Sequence, residues 1–159
     1  MFTPKLIPYI ALVQLFIFIS ACNSDKTYSS RLDIPQGIWK MEESAEFSPE
    51  ITDTAQSYNL KFMVTNSGQY RYSNIWFFIR SQAPDGVYHR DTLEIALADL
   101  DGKWLGKKEG DAWTLEIYFR KSVKFPKAGR YKFEIWQGMR DAALQGIDKF
   151  GFEIEKSNL

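Results

Sequence analysis

The chain has 159 residues, with 20 basic and 20 acidic side chains, a formal net charge of +0 and an aromatic content of 16%. That balance implies no polybasic surface, so nucleic acid is not an expected partner. With one cysteine in the whole chain, an internal disulfide and a multi-thiolate metal site are excluded as well.

Residues 1–21 carry one charge, Lys5, followed by an apolar run over Leu6–Ser20 that Pro8, Tyr9 and Gln14 interrupt. The run is too short for a membrane span, which needs about 20 apolar residues. A basic start, an apolar middle and a small-residue end form a secretory signal. Ile19-Ser20-Ala21-Cys22 then has the pattern of a bacterial lipobox: an aliphatic residue, two small ones and a cysteine. Small side chains leave the scissile bond open to a peptidase, and the free thiol accepts diacylglycerol. An ordinary signal with an incidental cysteine is the first alternative. An uncleaved anchor helix is the second, disfavoured by the short run and by Pro8. The reading is therefore a signal peptide over 1–21 and a lipid-modified Cys22 that anchors the chain in a membrane. Each buried CH₂ of the lipid contributes roughly 0.8 kcal/mol, and two acyl chains hold stably. Beyond that covalent lipid no cofactor is implied.

From Asn23 to Pro35 the sequence "NSDKTYSSRLDIP" is polar and without evident period. Residues 22–35 thus read as a lipidated start and flexible tether, and 36–159 as one domain. In that domain period two dominates. Tyr58, Leu60, Phe62 and Val64 form the first alternating run. Ile75, Phe77 and Ile79 alternate with Trp76 and Phe78, which predicts a central strand apolar on both faces. Leu93–Leu97, Trp113–Phe119, Tyr131–Ile135 and Phe150–Ile154 repeat the pattern. Asn66-Ser67-Gly68, Pro84-Asp85-Gly86, Asp101-Gly102 and Lys127-Ala128-Gly129 supply turns between them. Roughly eight such strands predict an all-β fold, an antiparallel two-sheet β-sandwich. Only Met139–Gln145 has a helical alternative.

Catalytic chemistry finds little support. His89, the one histidine, lies in a polar strand start and would need a serine and an acid beside it to act as a base. Asp99-Leu100-Asp101-Gly102 resembles part of a calcium loop but lacks the later ligands, so a tight Asp-Gly turn is the simpler reading and no metal is expected. No pair among the acids stands out as a hydrolytic dyad. Trp39, Trp76, Trp104, Trp113 and Trp136 could supply stacking platforms for sugars, as in β-sandwich binding modules, but most are core or sheet-face candidates, since aromatics dominate core burial. Trp104, in "DGKWLGKKEGD", adjoins a turn and is expected to be partly exposed, which suggests recognition, of a glycan or of a protein.

Four blocks in order, "YRYSNIWFFI" (70–79), "DTLEIALADLDGKWLG" (91–106), "VKFPKAGRYKFEIWQGMR" (123–140) and "GIDKFGFEIEK" (146–156), together with the lipobox, resemble the gliding motility lipoprotein family GldH of the Bacteroidetes. Arg71 stands where the family pattern has proline, and Gly138 where it has alanine. The resemblance implies a non-catalytic lipoprotein of the gliding machinery, which is linked to type IX secretion, with other gliding or secretion envelope proteins as partners. A glycan-binding lipoprotein is the second class of function. No strong acidic cluster follows Cys22, which favours the outer membrane with the domain facing the periplasm. By their place in these blocks, Asn74, Trp104, Gly106, Met139 and Arg140 are the candidate partner-binding residues. Gly106 has the competing reading of a positive-φ turn, and Met139 that of a gap-filling core residue.

Overall fold

Thirteen strands account for most of residues 26–157, the part of the chain that the computed structural model describes. In chain order they are β1 (Lys26–Asp33), β2 (Ile38–Lys40), β3 (Ala45–Phe47), β4 (Glu50–Ile51), β5 (Tyr58–Ser67), β6 (Asn74–Gln82), β7 (Tyr88–Ala96), β8 (Lys107–Glu109), β9 (Ala112–Val123), β10 (Gly129–Arg130), β11 (Lys132–Gln137), β12 (Ala143–Gln145) and β13 (Ile147–Lys156). A five-stranded antiparallel sheet in the order β1-β13-β5-β9-β8 packs against a four-stranded sheet in the order β3-β11-β6-β7. Two short ribbons, β10-β4 and β12-β2, complete the pairing. This is the expected all-β sandwich. The signal segment and Cys22 lie outside the described residues.

The alternating side chains explain why the sheets face one another. Phe62 of β5 and Phe150 and Phe152 of β13 point inward from the larger sheet, and Phe77, Phe47 and Ile135 from the smaller one, all at most 1% exposed. Their rings meet across the gap: Phe77–Phe150 at 5.1 Å, Phe47–Phe152 at 5.5 Å and Phe133–Phe152 at 4.7 Å between centroids. Such pairs add to simple burial, each by about 0.5–1.5 kcal/mol. Trp39 closes one side of the cluster, its ring 5.2 Å from Phe150 and its Nε1–H donating to the Glu43 carbonyl at 2.8 Å.

Two expectations need correction. Residues 26–33 are part of the sandwich: β1 pairs with β13 from Lys26↔Glu155 to Asp33↔Lys149. Tyr28, Ser30 and Leu32 face inward on it while Ser29, Arg31 and Asp33 are exposed. The serines dilute the apolar phase, and that dilution made a strand resemble a tether. The Met139–Gln145 stretch contains a turn and then β12, not a helix.

The outer surface of the five-stranded sheet is polar but tightly covered. Lys61 reaches Glu153 at 2.7 Å, Glu116 at 3.2 Å and Glu155 at 3.9 Å, and Lys26 reaches Glu153 at 2.8 Å. The Glu153 side chain is 1% exposed and that of Lys61 11%. Burial opposes both charges. Hydrogen bonds between them outweigh it, raising the Lys61 ammonium above its usual range and holding the Glu153 carboxyl below its own.

Candidate functional site

On the outer surface of the four-stranded sheet, the sequence places large apolar rings where a solvent-facing phase should be polar. β6 runs at the centre of this sheet, paired with β11 on one side and β7 on the other. Its outward residues are Trp76, Phe78 and Arg80. Trp76 is 38% exposed and Phe78 51%. Phe78 lies between Trp136 of β11 and Thr92 of β7 in the register, and Trp76 lies beside Glu94. The expected central strand is therefore present, but its second apolar face is open and not sandwiched.

One end of this face is charged. Glu134 accepts from Arg80 at 2.6 Å and from Lys132 at 3.1 Å, and the Arg80 guanidinium rests 5.4 Å from the Trp136 ring. Burial pushes the Glu134 carboxyl up, yet the bonds from Arg80 and Lys132 more than offset this and hold it below its usual value. The other end is a groove of about 510 Å³ bounded by Tyr72, Asn74, Trp76, Phe78, Met139 and Arg140.

The turn that carries Met139 and Arg140 is held from several sides. Buried Gln137 donates to the Asp141 carbonyl at 2.7 Å and accepts from the Met139 N–H at 2.8 Å. Tyr72 donates to the Asp141 carboxylate at 2.9 Å, and Tyr70 to the Asn74 carbonyl at 2.7 Å. Gly138 donates its N–H to the Trp76 carbonyl at 2.7 Å. A Cβ at Gly138 would lie 3.2 Å from Phe78 Cε2 and 3.3 Å from Trp76 Cβ, so an alanine there presses on the Phe78 ring and on the stem of Trp76. Asn74 donates to Glu94 at 2.6 Å, a polar rim beside Trp76. The groove is thus shaped before any ligand arrives, which lowers the ordering cost of binding.

Asn74, Met139 and Arg140 meet at this groove, and Arg140 is exposed. Met139 also touches the core and receives the Trp76 N–H at its sulfur, 3.4 Å away, so its gap-filling role and its place in the groove coexist. Trp104 and Gly106 lie elsewhere. The Trp104 ring is partly exposed, as expected, but rests on the core, 6.3 Å from Tyr70 and 5.9 Å from Trp113 between centroids. Gly106 does not have a positive φ. It is needed because a Cβ would come within 2.8 Å of the Thr114 carbonyl carbon and 3.0 Å of the Leu115 nitrogen.

Phe78 is the functional candidate that sequence reasoning missed, and Trp76 and Trp136, weighed there as stacking platforms, are assigned by it to packing. The signal lay in the neighbouring strands. The outward phase of β7 is Arg90, Thr92 and Glu94, and that of β11 includes Lys132 and Glu134. Two polar flanks are inconsistent with a covered face. Elsewhere, His89 is exposed on β7. Asp99 forms a turn, its Oδ1 accepting from the N–H groups of Asp101 at 3.0 Å and Lys103 at 2.8 Å.

A family profile described as GldH lipoprotein matches residues 26–154. The chain belongs to the GldH lipoprotein family. A "Gliding motility lipoprotein GldH homolog" from Christiangramia forsetii is 32% identical over 158 aligned residues, covering 91% of this chain and 96% of the relative. The "Gliding motility lipoprotein GldH" of Flavobacterium johnsoniae is 26% identical, covering 89% of this chain and 92% of that one. Among solved structures, a chain from an infectious bursal disease virus (Gx strain) overlays 84% of this chain and 28% of its own length. The TM-score is 0.27 at 16% identity, too low to support a structural relationship. The GldH profile starts at Lys26, the first residue of β1, so the matched region begins inside the sandwich and not at Pro35.

Proposed function

We propose that this protein is a lipid-anchored, non-catalytic component of the gliding motility machinery in the cell envelope, linked to type IX secretion, and that it acts by contacting other envelope proteins. The names of its GldH relatives support gliding motility, and none of them is an enzyme's name. The lipobox ending at Cys22 supports anchoring, with the outer membrane and a periplasm-facing domain as the placement.

The observation that carries the contact role is the open row of Trp76 and Phe78 beside Met139 and Arg140. Trp, Phe, Met and Arg are the side chains enriched at protein interfaces, where a few such anchors dominate affinity. The test compares capture of envelope proteins by the wild-type lipoprotein and by Trp76→Ala/Phe78→Ala, with spreading and secretion scored in the same strains. Loss of captured partners and of both phenotypes, at unchanged membrane level, is the expected result. Unaltered capture and spreading would remove the face from the contact.

The hydrogen-bonded Asn74–Glu94 pair beside Trp76 favours one second reading, a glycan stacked on the ring and held at its hydroxyls. Glycan-array binding lost in Trp76→Ala, with protein capture intact, would select it.

A further inference from the structure

The nine-residue β7 ends the four-stranded sheet, and among the described residues no strand pairs with its outer side. Of the other edge strands, β1 has eight residues and β3 and β8 have three each, so β7 is the longest open edge. Two flanking hydrogen bonds fix which backbone groups of β7 are open: Ala83 N–H to the Val87 carbonyl at 2.8 Å, and Leu97 N–H to the Ser73 carbonyl at 2.7 Å. Odd-numbered residues therefore exchange hydrogen bonds with β6. The N–H and C=O groups of Tyr88, Arg90, Thr92, Glu94 and Ala96 point off the edge. A long open edge is a template for another strand, and the charges along it decide which strand fits.

We propose that the fitting strand is β7 of a second copy, paired antiparallel about a two-fold axis through Thr92. In that register Thr92 faces Thr92, and Arg90 of each copy faces Glu94 of the other. Threonine pairs and opposite charges are both favourable cross-strand partners. Neighbouring registers are worse. Sliding one step places Asp91 opposite itself in one direction and Arg90 opposite Ala96 in the other. Two steps place Arg90 on Arg90, or Glu94 on Glu94. Arg90 is available for this: it rests 5.5 Å from the Tyr88 ring and has no ion-pair partner among the described residues.

The two-fold runs normal to the sheets, so both aromatic faces point the same way. The Trp136–Phe78–Thr92 row of one copy continues into the same row of the other. Both five-stranded sheets, and with them both Lys26 positions, share the opposite layer, so two Cys22 anchors can enter one membrane.

The test is oxidative cross-linking of the full-length lipoprotein in its own envelope. Facing residues of a hydrogen-bonded antiparallel pair have Cα atoms about 5.5 Å apart, inside the disulfide range of about 4.4–6.8 Å. Thr92→Cys should give a covalent dimer, and Ser29→Cys on β1 should not. Adding Arg90→Glu should lower the Thr92→Cys dimer about fivefold or more, and adding Glu94→Arg as well should restore it. If Thr92→Cys does not accumulate, Arg90→Cys co-expressed with Glu94→Cys reads the same register. A Thr92→Cys dimer no more abundant than that of Ser29→Cys overturns the proposal, as does a double reversal that stays as low as the single one.

Discussion

A tryptophan contributes to stability or to recognition according to how many neighbours its ring touches. Trp104 lies against Tyr70 and Trp113 and packs on the core. Trp104→Ala should therefore cost about 2–4 kcal/mol, somewhat below the loss for a fully buried ring. Trp76→Ala removes a ring that is 38% exposed and should cost about 1 kcal/mol or less. Urea melts of the two variants check the contrast; equal midpoints would mean that both rings pack alike. Position in sequence could not separate them. Trp104 stands beside a turn and Trp76 inside a strand, but burial follows from what crosses the sheet. Gly106 repeats the lesson: its glycine reflects backbone crowding by β9, which no local pattern reveals. Gly106→Ala should cost roughly 1–3 kcal/mol by overpacking, read in the same melts.

At the scale of elements, β1 is the informative case. Its pairing with β13 turns a would-be edge into an interior strand and protects Phe152 and Phe150 from one side. A strand in a sheet resists proteases that a tether does not. Limited trypsinolysis of the intact lipoprotein should thus leave Arg31 uncut until the domain unfolds, with N-terminal sequencing of fragments as the readout. Early cleavage there would return residues 26–33 to a tether. The long strands β5, β6, β9, β11 and β13 were legible because their apolar phase is dense. β1 was not, because Ser30 interrupts its inward row between Tyr28 and Leu32 and tertiary pairing supplies what local hydrophobicity lacks. The three-residue strands were illegible for a different reason, since three residues carry too little period to be distinguished from a turn.

Taken whole, the sandwich carries a low-exposure charge cluster on the outer surface of each sheet. The folded-state carboxyl values of Glu153 and Glu134 are depressed. Their contribution is therefore present above the unfolded glutamate pKa of about 4.3 and is lost as pH falls through the lower folded values. The melting temperature should be nearly flat around neutrality and drop on the acid side of about pH 4.5. Lys61, raised in the folded state, contributes below the unfolded lysine pKa of about 10.4 and loses that contribution only as pH rises through its higher folded value. Glu153→Gln should lower stability at neutral pH by roughly 3 kcal/mol, because Lys61 keeps Glu116 and Glu155, and should flatten the acid decline. A thermal melt series across pH tests this; an unchanged acid limb would show that other carboxylates govern it. The candidate groove was half legible at this scale. Asn74, Met139 and Arg140 came from the resemblance, whereas the exposure of Trp76 and Phe78 needed knowledge of which sheet face stays uncovered.

The early start of β1 also fixes a posture. Four peptide units separate Lys26 from Cys22, and four residues fully extended span at most about 14 Å. With the lipid on Cys22, as proposed, the sandwich has a very short leash. It cannot swing through the space above the bilayer or sample all orientations, because the β1 edge must stay close to the headgroups. A two-fold pair tethered at both Lys26 positions is restricted further, to a raft lying flat with its charged sheet beneath and its aromatic row uppermost. Any protein that meets it there has already lost one dimension of search, and finds the rings presented at a fixed height.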